Sequence, residues 1–336
     1  MPARPRALRN HSEEVFMTGS APRRFGRAGV LAAAVALVLV ATGIAVAGRF
    51  SVEITTPKHA DDITNIDILR MEIKNYYGTP DATTGSGATA GWTLPLNRHS
   101  NYAKEARSIA SDAWDYLKKK AEKFDKPAIV FDVDDTTLTT YNYELYSNWD
   151  FNPTTNGYFV GLTSGSFTGN AFPFTPGMKA LARKAHNHGY AIFFLTGRGD
   201  AQHQATIANL IDDEAAGFTE QSMTTSSELS AQIHEVDAHY PAPTAVDIGH
   251  GGFTDGLFTK PPVGSYPAYL DKARFCADAI DAGVSCPTIQ YKSGTRAYIE
   301  SLGYEIVANF GDQFSDLKGG HANKVFKMPN PNYYLP

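Results

Sequence analysis

Residues 126–137 read KPAIVFDVDDTT, and the fold turns on that stretch. Ala128–Phe131 is a short, unbroken apolar run, the pattern of a strand covered on both faces rather than one. It breaks abruptly into Asp132-Val133-Asp134-Asp135-Thr136-Thr137, residues that do not belong in a core. The same break recurs twice. Ala191–Leu195 (AIFFL) runs into Thr196-Gly197-Arg198, and Glu305–Asn309 (EIVAN) into Phe310-Gly311-Asp312, with Asp316 four residues further.

Between these runs the spacing is helical. Met178, Leu181, Ala182 and Ala185 form a stripe that predicts a helix over 175–188, with Thr175 as its cap, Pro176 at its first position and Gly189 as its stop. A helix is expected after Asp200, carrying Ile207, Leu210 and Ile211. Two more are expected over about 268–282 and 294–302, the second capped by Ser293. Strands alternating with helices imply an α/β fold: a Rossmann-like parallel sheet with helices on both faces.

This core is expected over residues 125–336, with two departures from its rhythm. Residues 139–174 are crowded with aromatic side chains, among them Tyr141, Tyr143, Trp149, Phe151 and Tyr158. They read as a small cap that grips an apolar group or packs as a satellite core. Residues 220–267, rich in Ser, Thr, Pro, Gly and His, read as an insertion. Residues 48–124 form an N-terminal helical segment. It has Ile66, Leu69, Ile73 and Tyr76 at helical spacing before Gly78, then a Gly-, Thr- and Ala-rich loop and a second helix over about 100–123.

The first 47 residues differ. Arg23, Arg24 and Arg27 precede an uncharged apolar stretch, Val30 to Ala47, that ends in Ala45-Val46-Ala47. A basic start, an apolar run and a small-x-small site read as a signal peptide. The run is also long enough to serve as an N-terminal membrane anchor. Arg23-Arg24 matches a twin-arginine signal only in part. Either way the working domain is expected outside the cytoplasm, secreted or extracellular.

The whole chain carries 30 basic and 35 acidic residues; six basic and two acidic ones lie in residues 1–47, leaving 24 against 33, a net charge of −9. That balance excludes a nucleic-acid binder, which needs surplus cations against phosphate. The two cysteines, Cys276 and Cys286, form a short disulfide loop in an oxidising compartment or stand as two buried thiols. They are too few for a four-cysteine zinc site.

The polar residues that follow each strand all project to the carboxyl edge of a parallel sheet, where such folds bind ligands. The set holds several carboxylates, one small hydroxyl and Lys292, which lies in Tyr291-Lys292-Ser293-Gly294. Clustered carboxylates repel one another unless a cation neutralises them. Oxygen ligands with open positions suit Mg²⁺, which binds through a few carboxylates and substrate phosphate. The pattern points to phosphoryl transfer.

DVDDTT, LTGR, YKSGTR and GDQFSDL occur in the order found in haloacid-dehalogenase-like phosphatases. The chain resembles their acid phosphatase branch, which includes bacterial class B enzymes and plant vegetative storage proteins. The tail from Met328 to Tyr334 resembles that branch too. The resemblance covers residues 100–336 and is thin across 220–267.

It implies a nucleophilic role for Asp132 and general acid–base catalysis by Asp134, whose backbone carbonyl reaches the metal. It implies phosphate binding by Thr196, Gly197 and Lys292, with Arg198 touching substrate or pinning its loop. Asp312 is implied as a direct Mg²⁺ ligand, alongside Asp132, with Asp316 as ligand or support. Thr136 supports the loop. The implied reaction is hydrolysis of a small-molecule phosphomonoester through phospho-Asp132. Alternatives are a non-catalytic storage or binding protein on the same fold, and a phosphotransferase. Asp134 must start protonated while Asp132 and Asp312 are ionised, which predicts an optimum below neutral pH.

Overall fold

The computed structural model describes residues 56–84, 96–160, 172–211, 240–272 and 274–335. The expected signal or anchor at 1–47 lies outside them, as do 161–171 of the cap and 220–239 of the insertion. Among the described residues no helix is long and apolar enough to cross a membrane.

In chain order come α1 (Ile66–Tyr77), α2 (Asn101–Leu117), β1 (Pro127–Phe131), α3 (Tyr141–Ser147), α4 (Pro153–Val160), α5 (Met178–Asn187) and β2 (Ala191–Gly199). There follow α6 (His203–Ile211), β3 (Leu257–Lys260), α7 (Ala277–Asp281), α8 (Thr288–Ser301), β4 (Glu305–Gly311), α9 (Phe314–Leu317) and β5 (Val325–Lys327). The five strands form one parallel sheet in the order β3-β2-β1-β4-β5. From β1 the chain builds outward through β2 and β3, then returns to the other side of β1 for β4 and β5. The order therefore reverses between β1 and β4, and a crevice opens at their carboxyl ends.

Alternation along the strands sorts the core onto two faces. Ile129 and Phe131 join Ala106 and Ala113 of α2, Leu181 of α5 and Leu210 of α6. Ala128 and Val130 join Tyr291 and Ile299 of α8. Side chains pointing to opposite faces in turn make β1 apolar at every position, as its sequence is.

Several expectations need correction. β3 lies within the stretch read as an insertion, yet it pairs with β2 as a core strand. At three or four residues, β3 and β5 carry too little pattern to be seen in sequence. α5 begins at Met178 after Gly177, not at Thr175. The Thr175 hydroxyl lies 3.2 Å from Thr139 Oγ1 and is not a cap. α8 starts at Thr288, so Ser293 and Gly294 lie inside it. A Cβ at Gly294 would come within 2.7 Å of Leu270 Cδ2, so close packing places a glycine in mid-helix. The helix expected over 268–282 is reduced to α7, flanked by Cys276, which is disulfide-bonded to Cys286 with their Cα atoms 5.2 Å apart. α2 stops at Leu117, and a separate 3₁₀ turn covers Ala121–Lys123.

Candidate active site

β1 ends in a tight turn that fixes the acidic residues. The Asp132 amide donates to the Phe310 carbonyl at 2.9 Å, extending the β1–β4 ladder by one residue. The Val133 carbonyl then accepts from the amides of Thr137 (3.0 Å) and Leu138 (2.9 Å). Asp135 takes a left-handed conformation (φ 50), which short polar side chains tolerate best. Its buried carboxylate accepts from the Thr140 amide (3.0 Å) and hydroxyl (2.5 Å), so Asp135 braces the turn instead of facing a ligand.

Three buried carboxylates converge at the crevice. Asp132, Asp312 and Asp316 each offer an oxygen, and these atoms lie within 4.8 Å of one another. Lys292, projecting from α8, places its Nζ 2.5 Å from Asp132 Oδ1 and 2.5 Å from Asp316 Oδ1. The other Asp316 oxygen accepts from the Gln313 amide at 2.8 Å. Asp312 Oδ2 accepts from Gln313 Nε2 (2.6 Å) and Asn330 Nδ2 (2.7 Å), while its Oδ1 has only a long 3.4 Å contact from the Thr136 hydroxyl. Among the described residues one oxygen of Asp132 and one of Asp312 thus stay open to a cation, and Asp316 is occupied twice. Gly311 makes this approach feasible, because a Cβ there would lie 2.2 Å from the Asp316 Cβ. An open cleft of about 450 Å³, lined by Asp312, Phe314, Lys327 and Asn330 among others, borders the cluster.

Asp134 stands apart from this group. Arg198 grips its carboxylate, with Nε 3.0 Å from Oδ2 and Nη2 2.6 Å from Oδ1. Arg198 Nη1 also donates to the Thr206 hydroxyl at 3.0 Å, and its guanidinium lies 5.3 Å from the Phe172 ring centre. Thr196 is buried at the end of β2, and its hydroxyl accepts from the Arg198 amide at 3.1 Å. Gly197 is exposed, with open space where a Cβ would stand.

The electrostatics follow from burial. Asp132 is raised well above the carboxylate range, first by desolvation and then by Asp316; Lys292 opposes the rise, and Asp312 and Asp134 add to it. Asp312 is pushed up to about 8 by burial and by Asp316 and Asp135, against the pull of Asn330 and Gln313. Burial alone would lower Lys292, but Asp132 and Asp316 outweigh it and hold its pKa up. One lysine cannot offset three buried carboxylates, so Asp132 and Asp312 are raised, and oxygen donors in that arrangement fit a hard divalent cation.

Sequence reasoning missed several supports. Arg296, fully buried in α8, donates to the carbonyls of Asp316 (2.7 Å), Gly320 (2.9 Å) and Lys318, fixing the loop that carries Asp316. It lies in the YKSGTR stretch, but an arginine that bonds only to carbonyls has no signature of its own. Asn330, in the tail, reaches Asp312 only through the tertiary fold. The rings of the expected cap mostly pack inward: Tyr141 stacks on Tyr77 at 3.9 Å, and Phe159 meets Tyr143 at 5.4 Å. Phe151 is 71% exposed.

The sheet order and the placement of these groups define a haloacid-dehalogenase-like α/β protein. A family model described as HAD superfamily, subfamily IIIB (acid phosphatase), matches residues 92–236 and 283–336. That is more than half of the chain, and the protein belongs to this family. Vegetative storage protein 2 of Arabidopsis thaliana is 26% identical over 237 residues, covering 70% of this chain and 67% of that protein. Acid phosphatase 1 of Solanum lycopersicum is 48% identical over 46 residues, 13% of this chain and 18% of its own length. A class C acid phosphatase from Bacillus anthracis with tungstate bound has a TM-score of 0.43 and 16% identity, covering 72% of this chain and 82% of that one.

Proposed function

We propose that the protein hydrolyses phosphomonoesters through a phospho-Asp132 intermediate and requires Mg²⁺. The observation that carries this reading is the charge imbalance at the β1–β4 crevice, where three buried carboxylates converge and Lys292 meets two of them, Asp132 and Asp316. An oxygen of Asp132 attacks phosphorus, and the bond from phosphorus to the leaving oxygen breaks. Asp134 gives that oxygen a proton. It then takes one from the water that attacks the aspartyl phosphate, which releases phosphate and restores Asp132.

Thr196, the Gly197 amide and Lys292 hold the phosphoryl oxygens. Arg198 is shared: an arriving phosphate competes with Asp134 for the guanidinium and so frees Asp134 for proton transfer. The residues that would hold the metal are Asp132 and Asp312 through their open oxygens, the Asp134 carbonyl, and Asp316, whose engaged carboxylate favours a supporting place. Magnesium, when bound, supplies the positive charge that keeps these acids ionised and offsets charge on the transferring phosphoryl group. Since Asp132 and Asp312 are raised without it, activity on the acid side of neutral depends on that charge.

Release of phosphate from an aryl phosphate by the purified protein, with Mg²⁺ and then with EDTA, tests the reading. Turnover is expected only with metal, and Asp132→Asn is expected to lower it on the order of 10⁴-fold or more with an unchanged far-UV spectrum. A rate profile flat from about pH 5 to 9 would remove the proposed acid–base pair. The match to a vegetative storage protein favours a second reading, a storage role without catalysis. Asp132 is present, against that reading; absence of turnover in a folded, magnesium-loaded protein would point to it or to a narrow substrate shielded by residues 220–267. Export is proposed as well, supported by the apolar segment before Ala47 and the bonded Cys276–Cys286 pair. Mass measurement of the protein in culture medium and in membranes separates cleavage from anchoring.

A further inference from the structure

Lys260 is the last residue of β3, in register with Gly199 of β2. The pairing shifts register between Leu195 and Gly199, and β3 lies two strands from β1; with adjacent strands about 4.8 Å apart, the Lys260 backbone stands roughly 10 Å to the side of the strand that leads into Asp132. Phe258, two residues earlier, packs with Val130, Leu195 and Tyr291. Lys260 therefore leaves the strand on the face covered by α8, the helix that carries Lys292. Burial holds its pKa below the usual lysine range, and the charge of Lys292 acts in the same direction.

Among the described residues the other cations at this edge are engaged: Lys292 by Asp132 and Asp316, Arg198 by Asp134, and Lys327 by the Met328 carbonyl. Lys260 is half-buried and has no hydrogen bond or ion pair to any described residue. A half-buried ammonium group without a partner is open to an arriving anion. The position is also fixed. The neighbouring Thr259 hydroxyl donates to Asp200 Oδ1 at 2.7 Å and lies 3.1 Å from His203 Nδ1, tying the end of β3 to the segment after β2. Finally, Lys260 falls in the stretch 237–282 that the family model leaves unmatched.

We propose that Lys260 is a substrate-binding residue that selects phosphomonoesters whose leaving group carries a second anionic group, a carboxylate or a phosphate. This rests on the phosphomonoester reading above. Lys292, Thr196 and Gly197 already serve the phosphoryl group, and Lys260 stands too far along the sheet edge to replace them. The second anion accordingly sits several bonds from phosphorus, across a leaving group the size of an aryl or sugar ring.

The test uses binding, so it does not depend on turnover. Affinities of benzylphosphonate, 4-carboxybenzylphosphonate and the corresponding bisphosphonate are measured by calorimetry with Mg²⁺, on the full chain, Lys260→Met and Lys260→Arg. Reading ratios between ligands cancels any general loss of affinity in a variant. The unaltered protein is expected to prefer the doubly anionic ligands by about tenfold, or ~1.4 kcal/mol. That ratio should fall to near one in Lys260→Met and survive in Lys260→Arg. The larger of the two preferences identifies carboxylate or phosphate as the group selected.

A ratio of one in the unaltered protein, or a ratio unmoved in Lys260→Met, overturns the proposal. A protein that hydrolyses aryl phosphates without the ratio loses Lys260 alone. One that shows the ratio but hydrolyses nothing loses the phosphatase reading and keeps Lys260 as an anion-binding residue.

Discussion

Two groups of acidic residues lie in the segments that flank the strands of the same sheet, and they are built differently. At the ends of β1 and β4, Asp132, Asp312 and Asp316 converge, and among the described residues Lys292 alone meets them with a charge, bonding Asp132 and Asp316. Just after β2 and just before β3, Asp200 and Asp255 are met by two imidazoles and a hydroxyl. His203 places Nε2 2.8 Å from Asp255, His250 places Nδ1 3.2 Å from Asp200, and Thr259 donates to Asp200. His203 is fully buried and stacks on Phe253 at 3.6 Å. In the second group each acid meets a ring nitrogen, though the buried His250 Nε2 has no partner among the described residues, and the group holds the loop before β3 in place. The first has more acceptors than donors and is complete only with a ligand. Acidic residues at strand ends are thus told apart by their balance of partners, not by their number.

Exchanging Asp134 for Asn tests the catalytic side of this contrast most severely. A loss of about 10²- to 10⁴-fold in kcat is expected, smallest for esters with good leaving groups, which need little protonation. A loss independent of the leaving group would leave Asp134 as a partner of Arg198 only. Next in size is Asp312→Asn. Binding of Mg²⁺ to the folded chain alone should raise the Tm of the unaltered protein, and the variant should lose that rise. If magnesium still stabilises Asp312→Asn, the open cation position is not at the β1–β4 crevice.

His203→Phe addresses the other group. Leaving Thr259 and Asp255 without their ring partner should lower stability by about 1–3 kcal/mol in urea unfolding, with kcat for a neutral aryl phosphate little changed. A collapse of kcat at unchanged stability would move this group from brace to active site.

The smallest effect is a pH dependence of the metal-free protein. Burial, with the Asp134 charge behind it, raises Glu144 to about 7, and burial raises Asp135 to about 7 against its Thr140 hydrogen bonds. Between roughly pH 4.5 and 7 the folded chain retains protons that the unfolded chain has released, so stability falls as pH rises through that window. A higher Tm at pH 5 than at 7.5 is expected, and Glu144→Gln should remove about 2 kcal/mol of the fall. An opposite slope would mean that these carboxylates are ionised inside the fold.

The sequence by itself determined the strands β1, β2 and β4, the acid and hydroxyl residues that follow them, and hence the edge where chemistry belongs. Those signals are local, because a doubly buried strand must be apolar throughout and its polar end must leave the core. Only the tertiary structure decided what each charge faces. Lys292 meets Asp132 across 160 residues and Arg198 meets Asp134 across 64, contacts that no spacing along the chain encodes. Packing likewise turned part of an apparent insertion into β3, carried Asn330 from the tail to Asp312, and left the Lys260 ammonium without a partner among the described residues. Side-chain identity is written locally, but charge balance is summed over neighbours in space, and the fold alone brings those neighbours together.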